Sequence, residues 1–136
     1  MSDVSMRALH PQHWARASGF SNGILAEGRL LCIAGQVGWN AQQRFESDDF
    51  VVQVEQALKN IVEVLAEAEG GPQHLVRLTW YVLDKNEYLA RLAEVGQAYR
   101  RVIGRHFPAM TLVQIGGLVA ERAKVEIEAT AVLPRR

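Results

Sequence analysis

The sequence predicts an α+β domain, with one mixed sheet and two helices packed on one of its faces. Three observations predict it. Residues 50–68 and 87–103 repeat apolar side chains at helical spacing. Residues 75–83 and 125–129 alternate apolar and polar side chains, the period of a strand. The order is a strand pair, a helix, a strand, a helix and two strands, which lets both helices cover the same face. At 136 residues the chain is one domain, 1–136, with a core of its own.

Residues 1–16 are polar and interrupted by Pro11, and are expected to be poorly structured. His10 and His13 flank Pro11-Gln12 without the further ligands a metal needs, so no metal site is expected. Residues 18–23 carry turn chemistry, Ile24-Leu25-Ala26 follow, and Glu27-Gly28 turn again. Residues 30–36 read as a buried strand that ends at Gly35-Gln36 and Gly38. This corner lacks the lysine and the glycine spacing of a phosphate loop, and its glycines suit close approach of a backbone or a ligand. Cys32, the single cysteine, reads as a buried structural thiol, and its solitude fits a reducing compartment.

The first helix has Ser47, Asp48 and Asp49 before it as cap and N-terminal charge. Phe50, Val54, Ala57, Leu58, Ile61, Leu65 and Ala68 form its apolar stripe, Gln53, Glu55 and Gln56 belong to the polar face, and Gly70-Gly71-Pro72 stop it. In the next strand Val76, Leu78, Trp80 and Val82 share a face. Asp84 and Asn86 then cap the second helix, whose stripe is Tyr88, Leu92, Val95, Tyr99 and Val102. Gly96 costs that helix about 1 kcal/mol against alanine, a cost that fits close packing or room beside a pocket. Arg100, Arg101 and Arg105 complement the negative end of the helix dipole.

The last third carries the functional question. Phe107-Pro108 lead into an apolar run at 110–115, and the final strand sets Val125, Ile127 and Ala129 against Glu126, Glu128 and Thr130. Two carboxylates on one face are readily solvated at a sheet edge and need another explanation in a central strand. Nothing in the sequence covers the sheet's second face, so a homo-oligomer is expected. Basic and acidic residues balance at 15 each, which argues against nucleic acid or an anionic membrane as partner. No apolar run reaches membrane-spanning length and no signal pattern opens the chain, so a cytoplasmic protein is expected.

Taken together, several segments resemble the RidA family, also called YjgF or enamine/imine deaminase family. They are Ala34-Gly35-Gln36, Gln56-Ala57-Leu58 with Asn60-Ile61, Leu78-Thr79 with Tyr81-Val82 and Asp84, Phe107-Pro108-Ala109, and Val125-Glu126-Ile127-Glu128-Ala129. The resemblance runs from about Gly19 to Leu133. It implies a chorismate-mutase-like fold, a homotrimer with a barrel-like core of sheets, small-molecule pockets in the clefts between subunits, and no cofactor. Active members hydrolyse 2-imino or enamino acids to 2-keto acids and ammonia. An arginine holds the substrate carboxylate and a glutamate positions water. That glutamate falls on Glu126, whereas Glu128 suits a solubility charge at a sheet edge. The other residues the resemblance brings to the pocket are Phe20, Gly35, Gln36, Met110 and Leu112.

Four polar groups of the family pattern are missing. Met110 stands where the arginine is expected, Leu112 replaces a frequent cysteine, Phe20 replaces a tyrosine, and Gly96 replaces an asparagine. A hydrogen bond to a charged group is worth about 1.5–3 kcal/mol, so the lost guanidinium costs roughly tenfold to over a hundredfold in carboxylate affinity. A pocket re-lined for a less anionic substrate than 2-iminoacids is therefore expected, with Arg122 as the candidate to replace the missing cation. The alternatives are a non-catalytic trimeric binding module and, since some family members are described as endoribonucleases or translation inhibitors, action on RNA.

Overall fold

The computed structural model describes residues 5–136. Its strands and helices are β1 (Ser5–Leu9), β2 (Gly23–Glu27), β3 (Arg29–Val37), α1 (Phe50–Glu67), β4 (Leu75–Val82), α2 (Lys85–Ala90), α3 (Leu92–Val102), β5 (Ala109–Gln114) and β6 (Val125–Leu133). β1 and β2 form an antiparallel pair, and the other strands form a mixed sheet in the order β3-β6-β4-β5. β4 and β5 run parallel, and β6 runs antiparallel to both its neighbours.

Alternation decides which face is buried. Leu78, Trp80 and Val82 of β4, and Val125, Ile127, Ala129, Ala131 and Leu133 of β6, point toward the helices. There they meet Phe50, Val54, Leu58, Ile61 and Leu65 of α1 and Val95, Ala98 and Tyr99 of α3. Among the described residues, the opposite face has no helix on it. Leu30 and Cys32 of β3 and Val113 of β5 are exposed. Cys32 is thus not the buried thiol its apolar neighbours suggest, because period-two alternation sends Ile33 into the core and Cys32 to the open side.

Three further expectations are corrected. The irregular opening assigned to residues 1–16 holds a strand at Ser5–Leu9, which pairs with β2 from Ser5↔Glu27 to Leu9↔Gly23; residues 1–4 lie outside the described residues. The second predicted helix is two, making three α-helices among the described residues. It breaks at Arg91 (φ −123°, ψ 28°), whose guanidinium bridges Asp49 and Glu94 at 2.7 Å each. Gln53, assigned to the polar face of α1, is buried. Its Nε2 donates to the carbonyls of Ser47 and Arg122, and its Oε1 accepts from Lys124 N. Gly38 permits this packing, since a Cβ there would lie 2.6 Å from Gln53 Cα. Among the described residues no helix is long and apolar enough to cross a membrane.

Asp49 caps α1 by accepting from Val52 N, and its hydrogen bond from Arg91 holds its carboxyl below the ordinary value of 3.8. Glu94 is lowered by the same guanidinium. A depressed carboxylate stabilises the fold above its unfolded pKa, and that contribution vanishes as pH falls through the folded value. Stability is therefore expected to drop below about pH 4. The urea midpoint should fall less steeply in Arg91→Ala than in the parent over that range; equal slopes would show that the cluster contributes nothing.

Candidate functional site

The six residues singled out from the sequence do not form one site within one chain. Met110 and Leu112 pair in register with Leu78 and Trp80, so they face the helices. Glu126 pairs with Tyr81 on the uncovered side of the sheet. Side chains on opposite faces of one sheet cannot reach a common ligand.

The helix-side group surrounds a cavity of about 620 Å³ between β4, β5, α2 and α3. Phe20 closes one edge and Met110, Leu112 and Trp80 form the sheet wall; Tyr88, Val95 and Gly96 form the helical wall. Phe20 is held there by its neighbour. Ser21 Oγ donates to Phe107 O at 2.6 Å, and Ser21 N donates to Pro108 O at 3.1 Å. Phe107 in turn stacks on Tyr99 at 5.7 Å, and the Tyr99 hydroxyl donates to His106 O at 2.6 Å. Burial pushes the Tyr99 and Tyr88 hydroxyls up, so both remain neutral donors.

Two features escaped the sequence reading, one behind the cavity wall and one in it. Trp80 Nε1 is buried and, among the described residues, is the one buried side-chain polar atom without a partner. Leaving such a donor unpaired costs about 1–3 kcal/mol. The second is Arg100, which is exposed and is the only charged side chain lining the cavity among the described residues. It reaches the cavity because helical side chains lean toward the N-terminus, over the residue four positions earlier, and that residue is Gly96. The spacing of Gly96 and Arg100 was the available signal. Arg122 is elsewhere: its guanidinium bonds Asp48 at 2.9 Å and lies over the Phe45 ring, and it does not line this chain's cavity.

The open-face group is smaller. β6 is a central strand, so Glu126 and Glu128 stand in mid-sheet, and the edge-strand explanation of Glu128 fails. Glu128 instead accepts a hydrogen bond from Tyr81 Oη at 2.5 Å, which holds the phenol above its ordinary pKa. Glu126 lacks such a partner among the described residues and is half-buried beside a bulge in β3. A Cβ at Gly35 would overlap the Glu126 carboxylate, so that glycine keeps the group's place open. Gln36 pairs with Ile127, and its Nε2 turns back to Ala34 O at 3.1 Å. No three His, Cys, Asp or Glu side chains gather as a metal site among the described residues.

Comparison with known proteins adds four findings. The family model described as endoribonuclease L-PSP matches residues 11–133. A 2-iminobutanoate/2-iminopropanoate deaminase from Capra hircus is 32% identical over 134 residues, 97% of this chain and 93% of that protein. Among solved structures, the Rid family protein YyfB from Yersinia pestis is 34% identical with a TM-score of 0.84, covering 94% of this chain and 98% of its own. A member of the YjgF/YER057c/UK114 family from Mycobacterium tuberculosis is 30% identical with a TM-score of 0.63, covering 85% and 87%.

Proposed function

This chain belongs to the RidA/YjgF family, and on that premise we propose that it hydrolyses a reactive imine or enamine to a carbonyl compound and ammonia. The observation that carries the reading is Glu126: a half-buried carboxylate in a central strand, on an uncovered face, with a glycine beside it that leaves its place open. Because Glu126 and the cavity lie on opposite faces, the reaction requires a second copy whose Glu126 meets the cavity of the first. We therefore assign the protein a homotrimer with ligands in the clefts between subunits. The exposed Leu30 and Val113 on the open face support burial against another copy.

The chemistry needs only water. Glu126 accepts a proton from a water molecule as its oxygen bonds to the imine carbon. The proton passes to nitrogen to give a carbinolamine; its hydroxyl proton is then carried to the amine as the C–N bond breaks, so that a carbonyl compound and ammonia leave. Met110 and Leu112 contact an apolar part of the substrate, which sets it apart from small 2-iminoacids. RNA cleavage is not the proposed activity, since a cavity with one cation on a chain of zero net charge offers little to a phosphate backbone.

Sedimentation equilibrium and ammonia release from imines generated in situ by an amino-acid oxidase test both parts. A trimer and accelerated release are expected with apolar amino acids as oxidase substrates. A monomer under all conditions would remove the basis of the reading. One observation favours a second function: among the described residues, no carboxylate lines the cavity of a single chain. Ligand-induced thermal stabilisation without product would identify a binding module.

A further inference from the structure

We propose that Glu128 is a positioning residue for Glu126: it holds the Tyr81 hydroxyl by a hydrogen bond and so keeps that donor away from the carboxylate that takes a proton from water. This rests on the reading of Glu126 as the general base and goes further by giving the second carboxylate of β6 a task.

Three observations carry it. Tyr81 of β4 stands directly opposite Glu126 of β6 in the antiparallel register, on the open face, so Glu126 is its direct cross-strand neighbour. The phenol nevertheless leans along the strand to the diagonal position. Its Oη donates to Glu128 Oε1 at 2.5 Å, although the residue opposite Glu128 is Thr79. Glu126 leans the other way, its carboxylate lying over Gly35 of β3 in the volume a Cβ there would occupy. β6 thus sends its two carboxylates to different neighbours, Glu126 to a bare stretch of β3 and Glu128 to the hydroxyl on β4. The other charged or titratable side chains on this face of the flanking strands are Arg77 and Cys32. Both stand opposite Thr130, roughly 13 Å along the strand from Glu126. Lys124, at the entrance to β6, is in no ion pair among the described residues. Tyr81 is therefore the donor on β4 placed to reach Glu126.

The separation matters to the chemistry. A phenol O–H donated to a carboxylate stabilises its ionised form and occupies one of its oxygens. The carboxylate becomes a weaker base, and the rate of general-base catalysis follows base strength. Glu128 takes the donor without that consequence, because it does not itself accept the proton from water. A glutamine at 128 still offers an Oε1 to the hydroxyl, whereas an alanine offers nothing.

Glu128→Ala, Tyr81→Phe and the two combined test the assignment. In Glu128→Ala the freed hydroxyl turns to its cross-strand neighbour. The kcat for ammonia release should fall about threefold to tenfold, with the acid limb of the pH profile moving to lower pH. Tyr81→Phe has no donor to misplace and should stay within about twofold of the parent, and the double variant should return to that level. No loss in Glu128→Ala, or a loss that Tyr81→Phe does not repair, would overturn the proposal. Carbon-13 NMR of the Tyr81 ring Cζ, identified by its absence in Tyr81→Phe, reads the hydroxyl's partner without turnover. In the parent the bond to Glu128 holds this phenol above its ordinary value of 10.0. It should stay raised in Glu128→Ala, where Glu126 takes over as acceptor, and return to the ordinary value only when Glu126→Ala is added. A return in Glu128→Ala alone would show that the hydroxyl goes to water, and the proposal would fall. Absence of hydrolysis in the parent would remove the general-base reading, and the NMR titration would then decide alone whether Glu128 keeps the donor from Glu126.

Discussion

Changing Glu126 to glutamine is expected to lower ammonia release by about two to four orders of magnitude while leaving the fold and the oligomer intact. The expectation follows from chemistry and placement together. An amide has the shape of the carboxylate but cannot accept a proton from water, and a positioned general base contributes roughly 10²–10⁴ in rate. Glu126 is half-buried next to Gly35 and has no salt-bridge partner among the described residues whose loss would unfold the sheet. Glu128→Gln is the proper comparison. It lies on the same strand face two residues on, but its carboxylate is engaged by the Tyr81 hydroxyl. That variant should retain turnover within a fewfold. Equal losses in both variants, or none in Glu126→Gln, would mean that the open face acts through its overall charge or not at all. A drop confined to Glu126 would also support a contribution across subunits, since that carboxylate cannot enter its own chain's cavity. Mixing Glu126→Gln chains with chains carrying a blocked cavity should then restore part of the activity.

The largest stability effect is expected at Gln53. Its side chain ties three backbone groups to α1: the carbonyls of Ser47 and Arg122 and the N–H of Lys124, at 3.1, 3.0 and 2.8 Å. These come from the segment entering α1 and the loop entering β6, which are joined through this one amide. Gln53→Ala strips partners from all three groups, and each buried group left unpaired costs about 1–3 kcal/mol. Water entering the vacated space recovers some of this, so a net loss of about 2–5 kcal/mol is expected, a large share of the roughly 5–15 kcal/mol that holds a domain together. Gln56→Ala, whose amide bonds Asn60 within the helix at 2.8 Å, should cost less than about 1 kcal/mol. Urea unfolding of both variants checks the contrast. Equal midpoints would show that the two loops are held by other contacts.

The burial of Gln53 also shows where sequence reading stops. Its position between Val52 and Val54 fits a polar face as well as a core one, and helical periodicity cannot tell a solvated amide from one that meets two loops. Cys32 fails in the same way: an apolar run was legible, but which of its alternate residues faces the helices depends on the neighbours of β3. Arg91 breaks the second helix through contacts with Asp49, 42 residues away, which no local propensity contains.

Periodicity, caps and turns determined most of the α+β architecture, because they are local properties written at spacings of two and 3.6 residues. The motif residues determined the family, and the sequence pointed to Met110, Leu112 and Phe20, which line the cavity. Only the tertiary structure decided that β6 is central, that Glu126 and Met110 lie on opposite faces, and that Arg100 rather than Arg122 enters the cavity. Strand order and helix docking are set by contacts between residues far apart in the chain, and a single sequence does not reveal which of its distant segments meet.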